Sequence, residues 1–159
     1  MIEITIPLPL AALQPHATGS WKVKAKPTAA YKAIAEAETL KAIKEFAEMF
    51  TDRLAFPTDN KVRAHHEWFL GKSEHELSYK AKGKPCPKSK KPYRPRDQAN
   101  GIQALKAAID GVVQGGLLTD DAWDYLEWGK GIRHGTAKEH GGRSCVVLRF
   151  EVLDERARL

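Results

Sequence analysis

The chain has little sulfur and no long apolar run. Its two cysteines, Cys86 and Cys145, stand far apart and form no C-x-x-C pair, so reduced thiols of a cytoplasmic protein are the expectation. No stretch approaches the roughly 20 consecutive apolar residues of a membrane span, so no membrane association is expected. The apolar N-terminus lacks a basic flank and is broken by Pro7, Pro9 and Pro15, which argues against a signal peptide. There is no internal repeat. A zinc set is also missing its parts: His134, His140 and Cys145 have no fourth ligand at a usual spacing.

What is present fits one globular domain. The 159 residues are 42% hydrophobic and 29% charged, enough for a real core. A net charge of +6 and a pI near 9.3 favour a polyanionic partner.

Ile2, Ile4, Ile6 and Leu8 alternate with Glu3 and Thr5, which predicts a half-buried strand. His16 to Lys26 reads as a loop. In it Trp21 is either tucked in or free to stack on a base, and Lys22, Lys24 and Lys26 are suited to phosphate. A long helix follows, from about Ala29 to Leu54, with an apolar stripe of Ile34, Ala37, Leu40, Ile43, Ala47, Phe50 and Leu54. Pro57 to Asn60 signals a turn. Val62, Ala64, His66, Trp68 and Leu70 predict a second strand. His65 and His66 then point to opposite faces and do not chelate one ion together.

Gly71 to Arg96 holds nine Lys or Arg residues and four prolines. It predicts an extended basic arm in which Lys80, Lys82, Lys84, Lys88, Lys90, Lys91, Arg94 and Arg96 track a phosphate backbone and Tyr79 or Tyr93 stacks. A solvated loop is the alternative. Trp123 to Ile132 and Ser144 to Leu153 read as two further strands, joined by a basic loop. The C-terminal DERARL is expected to fray.

The centre of the chain is Asp97 to Asp121. Asp97 is a good helix N-cap. Ile102, Leu105, Ile109, Val112 and Gly116 recur at helical spacing, and Gly115–Gly116 marks the stop. Asn100, Gln103, Lys106 and Asp110 lie on a neighbouring polar stripe, and Asp110 is placed to pair with Lys106 one turn earlier. Asp120 and Asp121 close the stretch. If the chain doubles back, Asp97 and Asp121 converge on a hard divalent cation and Lys106 offers positive charge to a phosphate. The plainer alternative is a cap at one end and a polar turn at the other.

The run R-D-x-x-N at Arg96, Asp97 and Asn100, then Lys106, Asp110-Gly111, Gly116 and Asp120-Asp121, resembles the RusA family of Holliday-junction resolvases, phage or prophage type. The strong match spans about 30 residues, with weaker echoes elsewhere, including Ser20-Trp21 and Lys26 to Ala30. The order of elements predicts a single-domain α+β fold, RusA-like, with a small mixed sheet packed by two main helices, and against the family's usual short connection residues 71–96 look like an insertion. The resemblance implies a homodimer acting on branched DNA (four-way junctions) in a bacterial or phage-infected cytoplasm, making paired symmetric nicks with Mg2+, or Mn2+ as substitute. Asp97, Lys106 and Asp121 would be catalytic, and Asp97, Asp120 and Asp121 would hold metal. Lys22, Lys24, Lys88, Lys90, Lys91, Arg94, Arg96 and Asn100 would meet DNA. The chain departs from the family at Ala99, where the pattern has a second aspartate. An alanine ligates nothing, so the implied activity is a junction-resolving endonuclease or, failing the missing acid, a junction-binding protein that does not cut.

Overall fold

The computed structural model describes residues 1–49, 56, 60–88 and 91–153. They form a mixed α+β unit: a five-stranded sheet with the two long helices packed on one face. Strand β1 is Ile2–Pro7, helix α1 Trp21–Met49, strand β2 Val62–Leu70, helix α2 Glu74–Ala81 and helix α3 Gln98–Gln114. Strands β3 (Leu126–Trp128), β4 (Arg133–Thr136) and β5 (Cys145–Val152) follow. Among the described residues no helix is long and apolar enough to cross a membrane.

The strands form where alternation predicts them. Ile2, Ile4 and Ile6 are buried while Glu3 and Thr5 face out, and each buried isoleucine contributes about 1.5–3 kcal/mol. β5 lies between β1 and β2 and is antiparallel to both, with Ile4 opposite Leu148 and Ala64 opposite Phe150. The far edge of β2 is shared by two short parallel strands. Val62 to Ala64 pair with β3, and Glu67 to Leu70 pair with β4. At His65 and His66 that edge is interrupted, because the chain between Trp128 and Arg133 loops away. Of the expected strand over Trp123 to Ile132 only Leu126–Trp128 is strand, and β4 falls in the stretch expected to be a loop; Trp123 lies outside both, exposed, with the Lys61 ammonium 3.9 Å from its ring centre.

α3 starts and stops as its sequence predicts. Asp97 caps it, accepting the Asn100 N–H at 2.9 Å. At the other end Gly116 has φ +80°, its N–H reaches the Val113 carbonyl, and the Leu117 N–H reaches that of Val112. This pair of bonds is the glycine stop that satisfies the last carbonyls. Leu105, Ile109 and Val112 are buried, as are the small residues Ala104, Ala107, Ala108 and Gly111. The helix is covered on two sides, by the sheet and by α1.

α1 departs from expectation in two ways. It begins at Trp21, so Lys22 and Lys24 stand on a helix and not in a loop, and Pro27 lies within it. Its buried residues are Tyr31, Ala35 and Thr39, while Ile34 and Leu40 of the expected stripe are largely exposed. The reason is the close crossing with α3. A Cβ on Gly111 would press on the Lys32 carbonyl and on Ala35, and one on Gly115 would come within 2.7 Å of Thr39. Only small side chains fit there, so size selects the face over hydrophobicity. Phe50 and Leu54 of the expected stripe lie outside the described residues, as do Lys90, most of the Pro57–Asn60 turn and the C-terminal DERARL.

The basic arm is also more ordered than an extended segment. Ser73 and Glu76 form a reciprocal capping box that starts α2. Further along, Pro95 is buried and Tyr93 packs edge-on against Trp68, ring centres 5.9 Å apart. Tyr93 thus belongs to the core contact and is not a free stacking platform.

Candidate nucleic-acid interface

Lys106 sits on the exposed side of α3, and its ammonium holds two acids from different parts of the chain. Asp110, one turn on, accepts at 2.7 Å, and Asp121 also accepts directly. The glycine stop at 116 turns the chain back so that the acid pair returns alongside the helix that precedes it. Asp120 shapes this return by accepting the Asp121 backbone N–H at 2.6 Å. Partial burial works to lower the Lys106 pKa, but the hydrogen bonds to Asp110 and Asp121 outweigh it and hold the group above the ordinary lysine value. Lys106 therefore offers fixed positive charge and not a general base. In turn, the Lys106 hydrogen bond holds Asp121 below the usual carboxylate range against a smaller opposing effect of burial.

Asp97 is engaged elsewhere. Its two oxygens accept the backbone N–H and, at 2.6 Å, the side-chain amide of Asn100. It stands nine residues before Lys106, about 13 Å along a helix axis. Ala99 is exposed in the first turn of α3 beside it. Among the described residues no group of three or more His, Cys, Asp or Glu side chains is placed to hold a metal ion. The donor set explains why. Asp110 and Asp121 already share an ammonium, Asp97 serves Asn100, and position 99 has no ligand. As they stand, Asp97, Asp110 and Asp121 are held by Asn100 and Lys106 and do not converge on one point.

The expected DNA-binding lysines divide into two groups. Lys24 donates to the Ala17 carbonyl at 2.8 Å and lines a cavity of about 220 Å³ together with Gln103, Lys106 and Asp110. The N-terminal turns of α1 and the acid-bearing face of α3 thus share one hollow, with Lys22 exposed nearby in sequence. The second group lies on the arm. Lys91 lines a shallow hollow of about 320 Å³ with Lys72, Lys80 and Lys84, opposed by Glu76. Lys88, Arg94 and Arg96 are exposed along the approach to α3.

Sequence reasoning missed Lys24 as a neighbour of Lys106, because nothing local signals a contact across the chain. It also missed Gln98. This residue follows the cap, donates to the Gly129 carbonyl and accepts the Gly131 N–H at 3.1 Å, so it ties the loop between β3 and β4 to the first turn of α3. Comparison with protein-family models, curated proteins and solved structures finds no match to this chain.

Proposed function

We propose that the chain is a RusA-like protein that binds four-way DNA junctions as a homodimer. Its scaffold is of the magnesium-dependent endodeoxyribonuclease type, making paired nicks, with Mn2+ able to replace Mg2+. The observation that carries this reading is the meeting of Asp110 and Asp121 on Lys106. Asp121, placed after a glycine stop, returns to the one lysine of the polar stripe, which is the grouping the resemblance implies for a phosphodiester-handling site. The basic approach through Lys88, Lys91, Arg94 and Arg96 supports it, since cations leading into such a site would hold the backbone. A two-fold protein also suits a two-fold junction.

The donor set favours the non-cutting form of this reading for the chain as it stands. Ala99 leaves a gap where the resembling family has an acid, and Asp97, Asp110 and Asp121 are engaged with Asn100 and Lys106. Ala99→Asp tests the assignment. The position is exposed, and an acid in the first turn suits the helix dipole, so folding should be unaffected. On a synthetic four-way junction with Mg2+, the unchanged chain should bind without appreciable nicking, and Ala99→Asp should nick at least ~100-fold faster, as expected when a missing ligand is restored. Adding Asp121→Asn should abolish that gain. A folded Ala99→Asp protein that binds junctions and never cuts them would overturn the placement of the site.

A further inference from the structure

An outer cavity of about 560 Å³ lies against the face of the sheet opposite α1 and α3, where the edge of β2 passes from β3 to β4. Its size lies within the range of small-ligand sites, about 300–1,000 Å³. Strand alternation selects its walls. Val62, Ala64 and Trp68 turn into the core under the helices, and His66 turns with them, its Nδ1 accepting the Trp68 indole N–H at 3.0 Å. Arg63, His65 and Glu67 therefore turn the other way. The register sets His65 beside Arg149 on β5, Arg63 beside Glu127 on β3, and Glu67 beside Arg133 on β4. All of these line the cavity, together with Lys130.

Two of the arginines are fixed in place. Arg149 donates through Nε to Glu3 at 2.9 Å and through Nη1 to Glu67. Arg63 donates through Nε to Glu127 at 2.6 Å, and its Nη1 lies 3.9 Å from Glu151. Each keeps its Nη2 N–H groups clear of these pairs. A guanidinium already held by carboxylates loses little further freedom when it meets another acceptor. His65 is fixed too, because its ring lies so close to Gly129 that a Cβ there would come within 2.2 Å of it. The Gln98 side chain holds both the Gly129 carbonyl and the Gly131 N–H, which braces Lys130 between them.

The charges in the lining do not cancel. Glu67 and Glu127 are both engaged by arginines. Arg133 stands beside Glu67 in register, but that carboxylate goes to Arg149. Lys130 and Arg133 have no carboxylate partner among the described residues. Pairing within the sheet accounts for Arg63 and Arg149. It does not account for two further cations at the same hollow. Positive charge with several N–H donors around it suits a tetrahedral oxyanion, which accepts at several oxygens at once.

We propose that this cavity binds a phosphate group, held by Lys130 and Arg133, with the spare N–H donors of Arg63 and Arg149 and the His65 ring beside it. The chemistry is the same for a small phosphomonoester and for the backbone of a DNA strand crossing this face. Lys106 stands on α3, on the other side of the sheet, so junction binding there and phosphate binding here can fail separately.

The test titrates the full chain calorimetrically with ribose 5-phosphate, with ribose, and with a single-stranded tetranucleotide that has no terminal phosphate. We expect saturable binding of at least one phosphate ligand with Kd below about 1 mM, and ribose at least ~10-fold weaker. Tighter binding of the tetranucleotide identifies a strand backbone as the source, and tighter binding of ribose 5-phosphate identifies a small phosphomonoester. The backbone amide resonances of Lys130 and Gly131 should move on binding. Lys130→Ala with Arg133→Gln should weaken the tighter ligand at least ~10-fold with unchanged melting. Lys138→Ala, at an exposed lysine outside the cavity, should leave it unchanged. The proposal is overturned if neither phosphate ligand binds, if ribose binds as tightly, if the amides of Lys130 and Gly131 stay still, or if the folded double variant binds as before. It is also overturned if Lys138→Ala weakens binding as much as the double variant.

Discussion

His66 couples the stability of the protein to pH. Burial, with the nearby positive charge of His134 and His65 as smaller causes, pushes its pKa down to about 4 from the ordinary 6.5. The unfolded chain therefore takes up a proton between those values and the folded chain does not. The contribution of a neutral His66 is fully present above pH 6.5 and is lost as pH falls through 4, a difference on the order of 3 kcal/mol. Thermal melting between pH 7.5 and 4 should show Tm falling across this window, with most of the His66-dependent fall removed in His66→Gln. An unchanged pH profile in that variant would show that His66 is not the group responsible. The Lys106 cluster is different. Its side chain is mostly exposed, so Lys106→Met should cost little stability, under about 1 kcal/mol, while weakening junction binding. The pairing of Lys106 with Asp110 was legible in a spacing of four. The return of Asp121 was legible only as a possibility of the glycine turn. The hydrogen bond between His66 and Trp68 was not legible, because strand alternation gives a face and not a partner.

The elements were mostly readable where one force dominated. Alternation fixed β1, β2 and β5, and cap and stop residues fixed α3. The face of α1 was legible only in part: Ile43 of the expected stripe packs on the core, but hydrophobicity does not show that the contact with α3 is limited by volume. Gly111→Ala should therefore be costly although alanine is the better helix former. Its Cβ would meet the Lys32 backbone carbonyl, and backbone cannot swing aside. Denaturant unfolding should show a loss of about 2–4 kcal/mol; a neutral or stabilising change would contradict the close crossing. The start of α1 was missed because Pro27 normally marks a boundary, yet six helical residues, about 1.7 turns, precede it. The short α2 was missed because lysine and proline content hid the capping box at Ser73 and Glu76.

Across the protein, positive charge is distributed on the arm before α3, on the first turns of α1 and around the outer cavity. Composition alone announced the excess, but its position depends on the fold. Backbone binding by such a surface is salt-dependent. If about six phosphates are neutralised, affinity should fall by roughly 10³-fold between 50 and 200 mM salt. A flat salt response would remove the electrostatic basis of the proposal. Charge alone does not distinguish a junction from a duplex, however; that distinction requires two copies placed on a two-fold substrate. The most direct measurement is therefore competition between a synthetic four-way junction and linear duplex DNA of equal length and charge, at fixed salt and without divalent metal. The account predicts a junction affinity at least ten-fold higher, in a complex containing two copies of the chain. Equal affinity for the two DNAs would contradict it.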